Sequence, residues 1–356
     1  MKAIYLFLLV LIASPFVRAQ SAVTGVMVPV GLLKKHVYLL ASDSLQGRET
    51  GKQGQHEAAG YCTQVFRMSH LSPVFRQDSV IVSFQQTYPF MSTEITPYGS
   101  IREDARRMGR PMASTYKRYE LTAPPLTHRD SVAASYGHNV AGLHIGTDLK
   151  QELVIISAHY DHLGRVNGQV YPGADDNASG TASVLGIAAT FDSLARQGIR
   201  PRRSILFVLF SGEEGGLVGS NYFVAHFPMP LNPIVCDLNA DMMGRVDRAH
   251  PKQPNYCYII AGPKDDTLRT AVTRANQHSV NLELDRAHDT ADDPSQYFYR
   301  SDHYNFARLG VPVLFFTNGE HPDYHQSTDT ADRINYELLQ KRATLVFHTA
   351  WLLANE

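Results

Sequence analysis

The sequence is poor in cysteine, and this shortage excludes several kinds of site. Three cysteines, Cys62, Cys236 and Cys257, are present in 356 residues. None of them belongs to a C-x-x-C pair, which argues against a redox dithiol and against a thiolate metal site. At most one disulfide is possible. If a bridge forms, we expect it between Cys236 and Cys257.

Long apolar runs and an excess of one charge are also missing. After residue 19 no run reaches the roughly 18 apolar residues that a membrane helix needs. The 33 lysines and arginines nearly balance the 34 aspartates and glutamates, so charge favours neither nucleic acid nor an anionic membrane as a partner. A hydrophobic content of 44% is typical of a globular chain and argues against disorder.

Residues 1–19 have the pattern of a secretory signal peptide. Lys2 precedes the apolar stretch 4–16, and the segment ends on the small residue Ala19. A buried N-terminal helix is the alternative interpretation. We expect cleavage after about Ala19 and a mature chain, 20–356, that is soluble and either secreted or periplasmic.

Hydrophobic periodicity predicts an α/β domain. Helical spacing occurs at 32–40 and 56–68, and the proline-rich segment 88–136 lacks periodicity, which predicts an irregular insertion or cap. Strand-like runs then alternate with helical stretches, which predicts a mostly parallel sheet flanked by helices. The predicted strands are 140–144, 153–158, 205–210, 234–238, 258–261 and 313–316. The predicted helices are 178–196, 218–226, 267–277, 302–309 and 334–353.

The first polar motifs follow the strand at 153–158 and precede the helix at 178–196. His159 and Asp161 would share one side of an extended chain, so the carboxylate could orient the imidazole, and His162 would point away. Asp175 and Asp176 lie in the turn before the helix, where aspartate is also a common capping residue. Two adjacent carboxylates exceed what a cap requires, and one of them could bridge two metal ions.

Further potential ligands follow the later strands. Glu213 and Glu214 come after the strand at 205–210, Asp241 follows the strand at 234–238, and His325 lies beyond the last predicted strand. Each residue alone could belong to an ordinary turn or loop. Because ligands bind beyond the carboxyl ends of parallel strands, the set predicts a two-metal hydrolase that uses zinc or a similar divalent ion.

These motifs, together with the stretch LASDSLQGRETG at 40–51, resemble the M28 family of zinc peptidases. The resemblance covers nearly all of the mature chain except 88–136. It implies a phosphorylase/hydrolase-like fold, a three-layer α/β/α sandwich with a mostly parallel central sheet. It also implies two zinc ions per chain and a peptide substrate with a free N-terminus, as expected of a co-catalytic aminopeptidase.

The resemblance also implies a role for each site residue. One zinc would be bound by His159 and Asp241, and the other by Glu214 and His325, with Asp176 bridging the two. Glu213 would be the general base and acid, and Asp161 would orient His159. The family often carries a cis peptide bond at the position of Asp176–Asn177. The stretch from Ser301 to Phe306 resembles a further family motif, although an N-capped helix explains it equally well.

Other functions stay open from the sequence. Glutaminyl cyclases share the fold and typically use a single zinc, and the presence of both His159 and Asp241 favours hydrolysis over cyclisation. A non-catalytic scaffold of the same fold is disfavoured because all five ligands and Glu213 are present. A carboxypeptidase or a dipeptidase would differ only in the substrate terminus that must be free.

Overall fold

A ten-stranded mixed sheet forms the centre of the computed structural model, which describes residues 23–77, 80–95, 116–122, 135–229, 234–262 and 265–356. The predicted signal peptide, 1–19, lies outside the described residues and stays a prediction. The strands are β1 Ser72–Pro73, β2 Phe75–Gln77, β3 Val80–Ser83, β4 Gln85–Ile95, β5 Tyr116–Leu121, β6 Ser135–His144, β7 Leu149–His159, β8 Arg165–Val166, β9 Gln169–Val170, β10 Arg203–Phe210, β11 Ile234–Ala240, β12 Tyr256–Ala261, β13 Glu283–Asp285 and β14 Val313–Thr317.

The middle of the sheet is parallel and much of its periphery is antiparallel. The order across the sheet is β13-β12-β14-β11-β7-β10-β6-β4-β5, with β1 paired to β6. Strands β14, β11, β7 and β10 pair in parallel, whereas β6, β4 and β5 pair antiparallel. No helix lies between β4 and β6 among the described residues, and strands without a crossover helix pair antiparallel.

Helices cover both faces of the sheet, so the predicted α/β sandwich is confirmed. One hydrophobic cluster, which includes Phe191 and Trp351, fills the space under the long helices, and a second, which includes Phe210 and Phe306, lies on the other face. Burial of these apolar side chains is the main force that holds the layers together. The helices are α1 Val30–Leu40, α2 Gln53–Met68, α3 Gly180–Arg196, α4 Val218–Ala225, α5 Asp266–Gln277, α6 His303–Ala307 and α7 Tyr336–Asn355.

Two predictions need correction. The segment 88–136 is not irregular where it is described, because it contributes most of β4, all of β5 and the start of β6 to the sheet. The expected Cys236–Cys257 bridge is absent, since all three cysteines are free and buried. Strand β14 lies between β11 and β12, which separates the two cysteine strands by roughly 10 Å, beyond the reach of a disulfide.

The described residues contain no helix that is both long enough and apolar enough to cross a membrane. The longest helix, α7, begins after Asn335, whose side chain accepts a hydrogen bond from the backbone N–H of Leu338 at 3.1 Å. Such a cap satisfies a backbone donor that has no partner within the helix. Helix α7 packs its apolar side chains into the larger hydrophobic cluster.

Candidate metal centre

The parallel strands bring the predicted ligands to one edge of the sheet. His159 is the last residue of β7 and pairs in register with Phe210, the last residue of β10. Glu213 and Glu214 follow β10, and Asp241 follows β11 directly. His325 lies in the loop after β14, the strand that pairs in parallel with β11. Strands that run in the same direction end at the same edge, so these side chains converge.

Asp176 lies at the middle of the converging side chains. Its Oδ1 is 3.3 Å from Nε2 of His159, and its Oδ2 is 3.0 Å from Nε2 of His325. The same nitrogen of His159 lies 3.3 Å from Oδ1 of Asp241, and that of His325 lies 3.1 Å from Oε2 of Glu214. The five predicted ligands therefore form two groups that share one carboxylate.

Local hydrogen bonds hold Asp176 in this position. Asn177 donates from Nδ2 to the carbonyl of Ala240 at 3.0 Å and accepts at Oδ1 from the N–H of Gly180 at 2.8 Å. The turn before α3 is thereby tied to the end of β11. The Asp329 carboxylate accepts from the backbone N–H of Asp176 at 3.1 Å. The Asp176–Asn177 peptide bond is cis, as the family resemblance implies.

Asp175, the neighbour of Asp176, is directed away from the metal centre. Its carboxylate accepts from the N–H of Gly244 at 2.6 Å and from the side chain of Asn318 at 3.0 Å, and it lies 3.1 Å from Nε2 of His321. These partners, His321 first, keep its pKa below the ordinary range although burial opposes them. Asp175 is therefore a structural anchor of the turn.

His162 contradicts the sequence interpretation that it points away from the site. Its Nδ1 lies 2.6 Å from Oε1 of Glu214 and 3.8 Å from Oδ2 of Asp176. Strand β7 ends at His159, so the alternation of side chains along a strand does not extend to residue 162. A third histidine thus joins the group that contains Glu214 and His325.

Asp161 and Glu213 lie beside the ligand groups. Oδ1 of Asp161 is 3.6 Å from Nδ1 of His159, whose nearer contact is the backbone carbonyl of Asp161 at 3.3 Å. The Asp161 carboxylate also accepts from the hydroxyl of Thr50 at 2.8 Å and from the N–H of Glu213 at 3.3 Å. It therefore connects the end of β7 to the loop after β10.

Burial and neighbouring charges give the glutamates of the site different pKa values. Burial is the largest influence on Glu213 and raises its pKa well above the ordinary value, with further increases from Glu214 and Asp241 and an opposing effect from His159. Burial also opposes ionisation of Glu214, yet the nearby histidines lower its pKa to about 2. The pKa values of two adjacent glutamates thus shift in opposite directions, which suits one for proton transfer and the other for a cation.

The donor set fits zinc. His159, Asp176 and Asp241 each offer one ligand atom, and these atoms lie within 4.8 Å of one another. The same holds for His162, Asp176 and Glu214. Imidazole nitrogen combined with carboxylate oxygen is a common ligand set for zinc, and a carboxylate can place one oxygen on each of two ions.

Sequence reasoning assigned no role to two further contributors. The Ser301 hydroxyl donates to Oδ2 of Asp241 at 2.8 Å, so the motif around Ser301 reaches the metal centre. Arg48 is fully buried, and its guanidinium binds backbone carbonyls on both sides of the site, including Tyr160 and Gly173. Arg48 lies within the 40–51 stretch that resembles the family, and this position was the signal that could have indicated its role.

Comparison with known proteins identifies the family. The sequence profile of peptidase family M28 matches residues 139–350, more than half of the chain. The chain belongs to peptidase family M28. Aminopeptidase YwaD of Bacillus subtilis (strain 168) is 27% identical over 219 residues, which cover 58% of this chain and 43% of that relative. The chain therefore spans less than half of the length of YwaD.

Solved structures share the M28 fold of this chain. The LapA aminopeptidase of Legionella pneumophila has a TM-score of 0.64 at 19% identity and covers 100% of this chain and 78% of its own. The glutaminyl cyclase of Fimbriiglobus ruber has a TM-score of 0.61 at 14% identity, with coverage of 92% and 96%. At these identities the likeness confirms the fold, and the family match confirms the predicted membership of the M28 peptidase family.

A pocket adjoins the candidate metal centre of this M28 chain. Met242 and Phe315 supply apolar wall, and the guanidinium of Arg300 lies 5.1 Å from the centre of the Tyr297 ring and 2.7 Å from a carboxylate oxygen of Glu320. Concave sites with apolar walls and a few fixed polar groups are typical of small-ligand pockets. The metal-centre residues that line it are Asp176, Glu213 and Asp241.

Proposed function

We propose that this protein is a di-zinc aminopeptidase that hydrolyses N-terminal residues from peptides. The observation that carries the proposal is the position of Asp176, whose two oxygens face different histidines, His159 at 3.3 Å and His325 at 3.0 Å. A single-metal site does not need a carboxylate that is shared between two complete ligand groups. Catalytic zinc pairs bridged in this manner are a recurrent arrangement in aminopeptidases.

The proposed residue roles follow the two ligand groups. His159 and Asp241 would hold one zinc, Glu214 and His325 the other, and Asp176 both, with His162 available beside Glu214. When bound, zinc lowers the pKa of a coordinated water and polarises a substrate carbonyl.

Glu213 is the proposed general base and acid. Its carboxylate lies 4.0 Å from Nε2 of His159 and is part of neither ligand group. The raised pKa allows it to accept a proton from water and to return that proton to the departing amine. Asp161 would hold both His159 and the Glu213 backbone in place through the contacts described above.

The pocket beside the centre would receive the first side chain of the substrate. Its Met242 and Phe315 walls favour an apolar side chain. The substrate α-amino group would lie close to the site carboxylates, which attract a cation. This arrangement supports cleavage at a free N-terminus.

A glutaminyl cyclase is the second candidate, because the Fimbriiglobus ruber enzyme shares the fold. Cyclisation of an N-terminal glutamine is an acyl transfer within the substrate and does not need an activated water. The presence of both complete ligand groups favours hydrolysis. A non-catalytic scaffold would have no use for either group.

The deciding experiment measures zinc content and product release for wild type, Glu213→Gln and Glu214→Gln, with aminoacyl-p-nitroanilides and glutaminyl peptides as substrates. We expect two zinc ions per chain and aminoacyl cleavage in wild type. Glu213→Gln should keep its zinc and lose activity by about 100-fold or more, whereas Glu214→Gln should lose zinc as well. Pyroglutamate formation without cleavage would identify a cyclase, and the absence of zinc would identify a scaffold.

We also propose that residues 1–19 direct the chain out of the cytoplasm. The charged start, apolar stretch and small-residue end of this segment support the proposal. The protein recovered from the periplasm or the medium should begin near residue 20 when its N-terminus is sequenced, and an intact Met1 would contradict the proposal.

A further inference from the structure

The hairpin-like pair β4 and β5 reaches the loop that carries Glu213 and Glu214. Both strands precede residue 139, where the match to the M28 family begins. The loop runs from Ser211 to Gly216, directly after β10. A part of this chain that the family description does not cover therefore lies against the loop with the proposed catalytic base.

Strand β4 contacts the beginning of this loop through Tyr88. The Tyr88 hydroxyl donates to the carbonyl of Ser211 at 2.9 Å and lies 2.9 Å from the Ser211 hydroxyl. The Tyr88 ring is completely buried in a small cluster with Phe90, Tyr119 and Val218. The first residue of the loop is thus held by a side chain from β4, the second strand along the sheet from β10.

Strand β5 contacts the far end of the loop through Tyr119. The backbone N–H of Tyr119 donates to the carbonyl of Gly215 at 2.8 Å. The Tyr119 ring lies directly over Gly215, so a Cβ added to Gly215 would be 1.8 Å from Cδ2 of the ring. Phe90 supports the ring from behind, with 4.7 Å between ring centres. Tyr119 is 6% exposed, so the ring has little room to move.

The loop is a hydrogen-bonded turn that contains three glycines. The carbonyl of Glu213 accepts from the N–H groups of Gly216 at 2.9 Å and Leu217 at 3.0 Å. Gly212 and Gly216 have positive φ angles of 73° and 111°, and a segment with Gly212, Gly215 and Gly216 has more backbone freedom than other sequences. The N–H of Glu213 has a long hydrogen bond of 3.3 Å to Asp161. Contacts from outside the loop restrict this backbone freedom further.

We propose that Tyr119 is a positioning residue that holds the loop from Ser211 to Gly216, and with it Glu213 and Glu214, in the geometry needed for metal binding and proton transfer. The ring of Tyr119 limits the movement of Gly215 while Tyr88 fixes Ser211 at the other end. The proposal deepens the proposed function and rests on it only for the catalytic readout, because metal retention by Glu214 can be measured without a substrate.

The first test compares Tyr119→Ala and Tyr119→Phe with wild type, with the exposed Tyr136→Ala on β6 as the control. We expect Tyr119→Ala to lower kcat by about 10- to 100-fold, as a small displacement of catalytic groups does, with KM changed less than about twofold. This variant should lose its zinc at a lower chelator concentration than wild type does. Tyr119→Phe keeps the ring and should therefore have the kcat and the zinc retention of wild type. Tyr136→Ala should also resemble wild type.

The second test uses the close approach of Gly215 to the ring. Gly215 has no positive φ, so alanine is acceptable to the backbone, and the three atoms nearest to an added Cβ all belong to the Tyr119 ring. Gly215→Ala should therefore lower kcat and zinc retention in the wild-type background. In the Tyr119→Ala background the same change should have a much smaller effect, because the ring is gone. Such non-additivity is the signature of a direct contact.

Several outcomes would overturn the proposal. It is wrong if folded Tyr119→Ala keeps wild-type kcat and zinc retention, or if its activity falls only in proportion to the amount of folded protein. It is also wrong if the effects of Gly215→Ala and Tyr119→Ala are additive. If wild type releases no N-terminal residue but zinc retention responds to Tyr119→Ala as described, the positioning role stands and the aminopeptidase proposal fails.

Discussion

Replacement of Arg48 by methionine tests how a buried charge supports the metal centre. Arg48 is fully buried, and its guanidinium donates to four backbone carbonyls. The acceptors are Tyr160 at 2.6 Å, Pro172 at 2.7 Å, Gly173 at 3.0 Å and Leu40. Tyr160 lies between two site residues, and Gly173 begins the turn that carries Asp176. One side chain thus connects the 40–51 stretch to both halves of the site.

Two opposing contributions decide the size of the effect. Four hydrogen bonds from a charged donor contribute about 1.5 kcal/mol each at the low end, or about 6 kcal/mol together. Burial opposes the charge and lowers the pKa of Arg48 to about 10, which corresponds to about 3 kcal/mol. Methionine removes both contributions and fills similar space, but it leaves four carbonyls without their donor, which costs further free energy. We therefore expect Arg48→Met to lower the free energy of unfolding by at least about 3 kcal/mol.

Chemical denaturation of the zinc-loaded proteins, followed by circular dichroism, measures this difference. Arg48→Lys is the matched control, because lysine keeps the charge but has a single ammonium group that cannot reach four separate carbonyls. It should be at least as destabilised as Arg48→Met. A methionine variant as stable as wild type, or more stable, would show that the buried charge outweighs its hydrogen bonds, as occurs for some buried ion pairs, and would refute the reasoning.

Two further predictions concern pH and metal. Burial, and then the charge of Lys35, lower the pKa of His36 to about 4. Between about pH 6.5 and 4 the unfolded chain therefore binds a proton that the folded chain does not, and the free energy of unfolding falls as pH falls. In metal-free protein we expect His36 to lower the free energy of unfolding by about 2 kcal/mol at pH 5 relative to pH 8. The decrease should be smaller in His36→Gln. Equal pH profiles of wild type and this variant would contradict the prediction. Removal of zinc by a chelator should lower the free energy of unfolding by about 4 kcal/mol, compared with protein in zinc at 1,000 times its Kd. Calorimetry measures the difference, which added zinc should reverse and magnesium should not. An unchanged melting temperature would contradict a bound metal.

The location of the site was predictable because it depends on strand direction. The apolar runs that become β7, β10, β11 and β14 are each followed by polar residues, and parallel strands place those residues at one edge. His159, Glu214 and Asp241 could therefore be grouped without knowledge of the strand order. The grouping needed only the α/β alternation, which hydrophobic periodicity reveals.

Features that depend on which elements become neighbours were not predictable. Strand β5 has the sequence YKRYEL, in which charged residues obscure the apolar pattern, and its pairing with β4 decides that it is a strand. The prediction of a Cys236–Cys257 bridge was wrong for a related reason, since nothing in the sequence indicates that β14 lies between the two cysteine strands. His162 was assigned to the wrong side because the end of β7 could not be located to the residue.

Asp175 and Asp176 show where sequence reasoning ends. The two residues are chemically identical and adjacent, and either could have been the shared ligand. Gly244, Asn318 and His321 occupy the carboxylate of Asp175, and these partners come from segments far away in the sequence. Because Asp175 is already satisfied by the protein, only Asp176 has both oxygens directed at histidines of the site. The fold thus leaves Asp176 as the proposed bridging ligand, because the other carboxylate already has a complete set of partners.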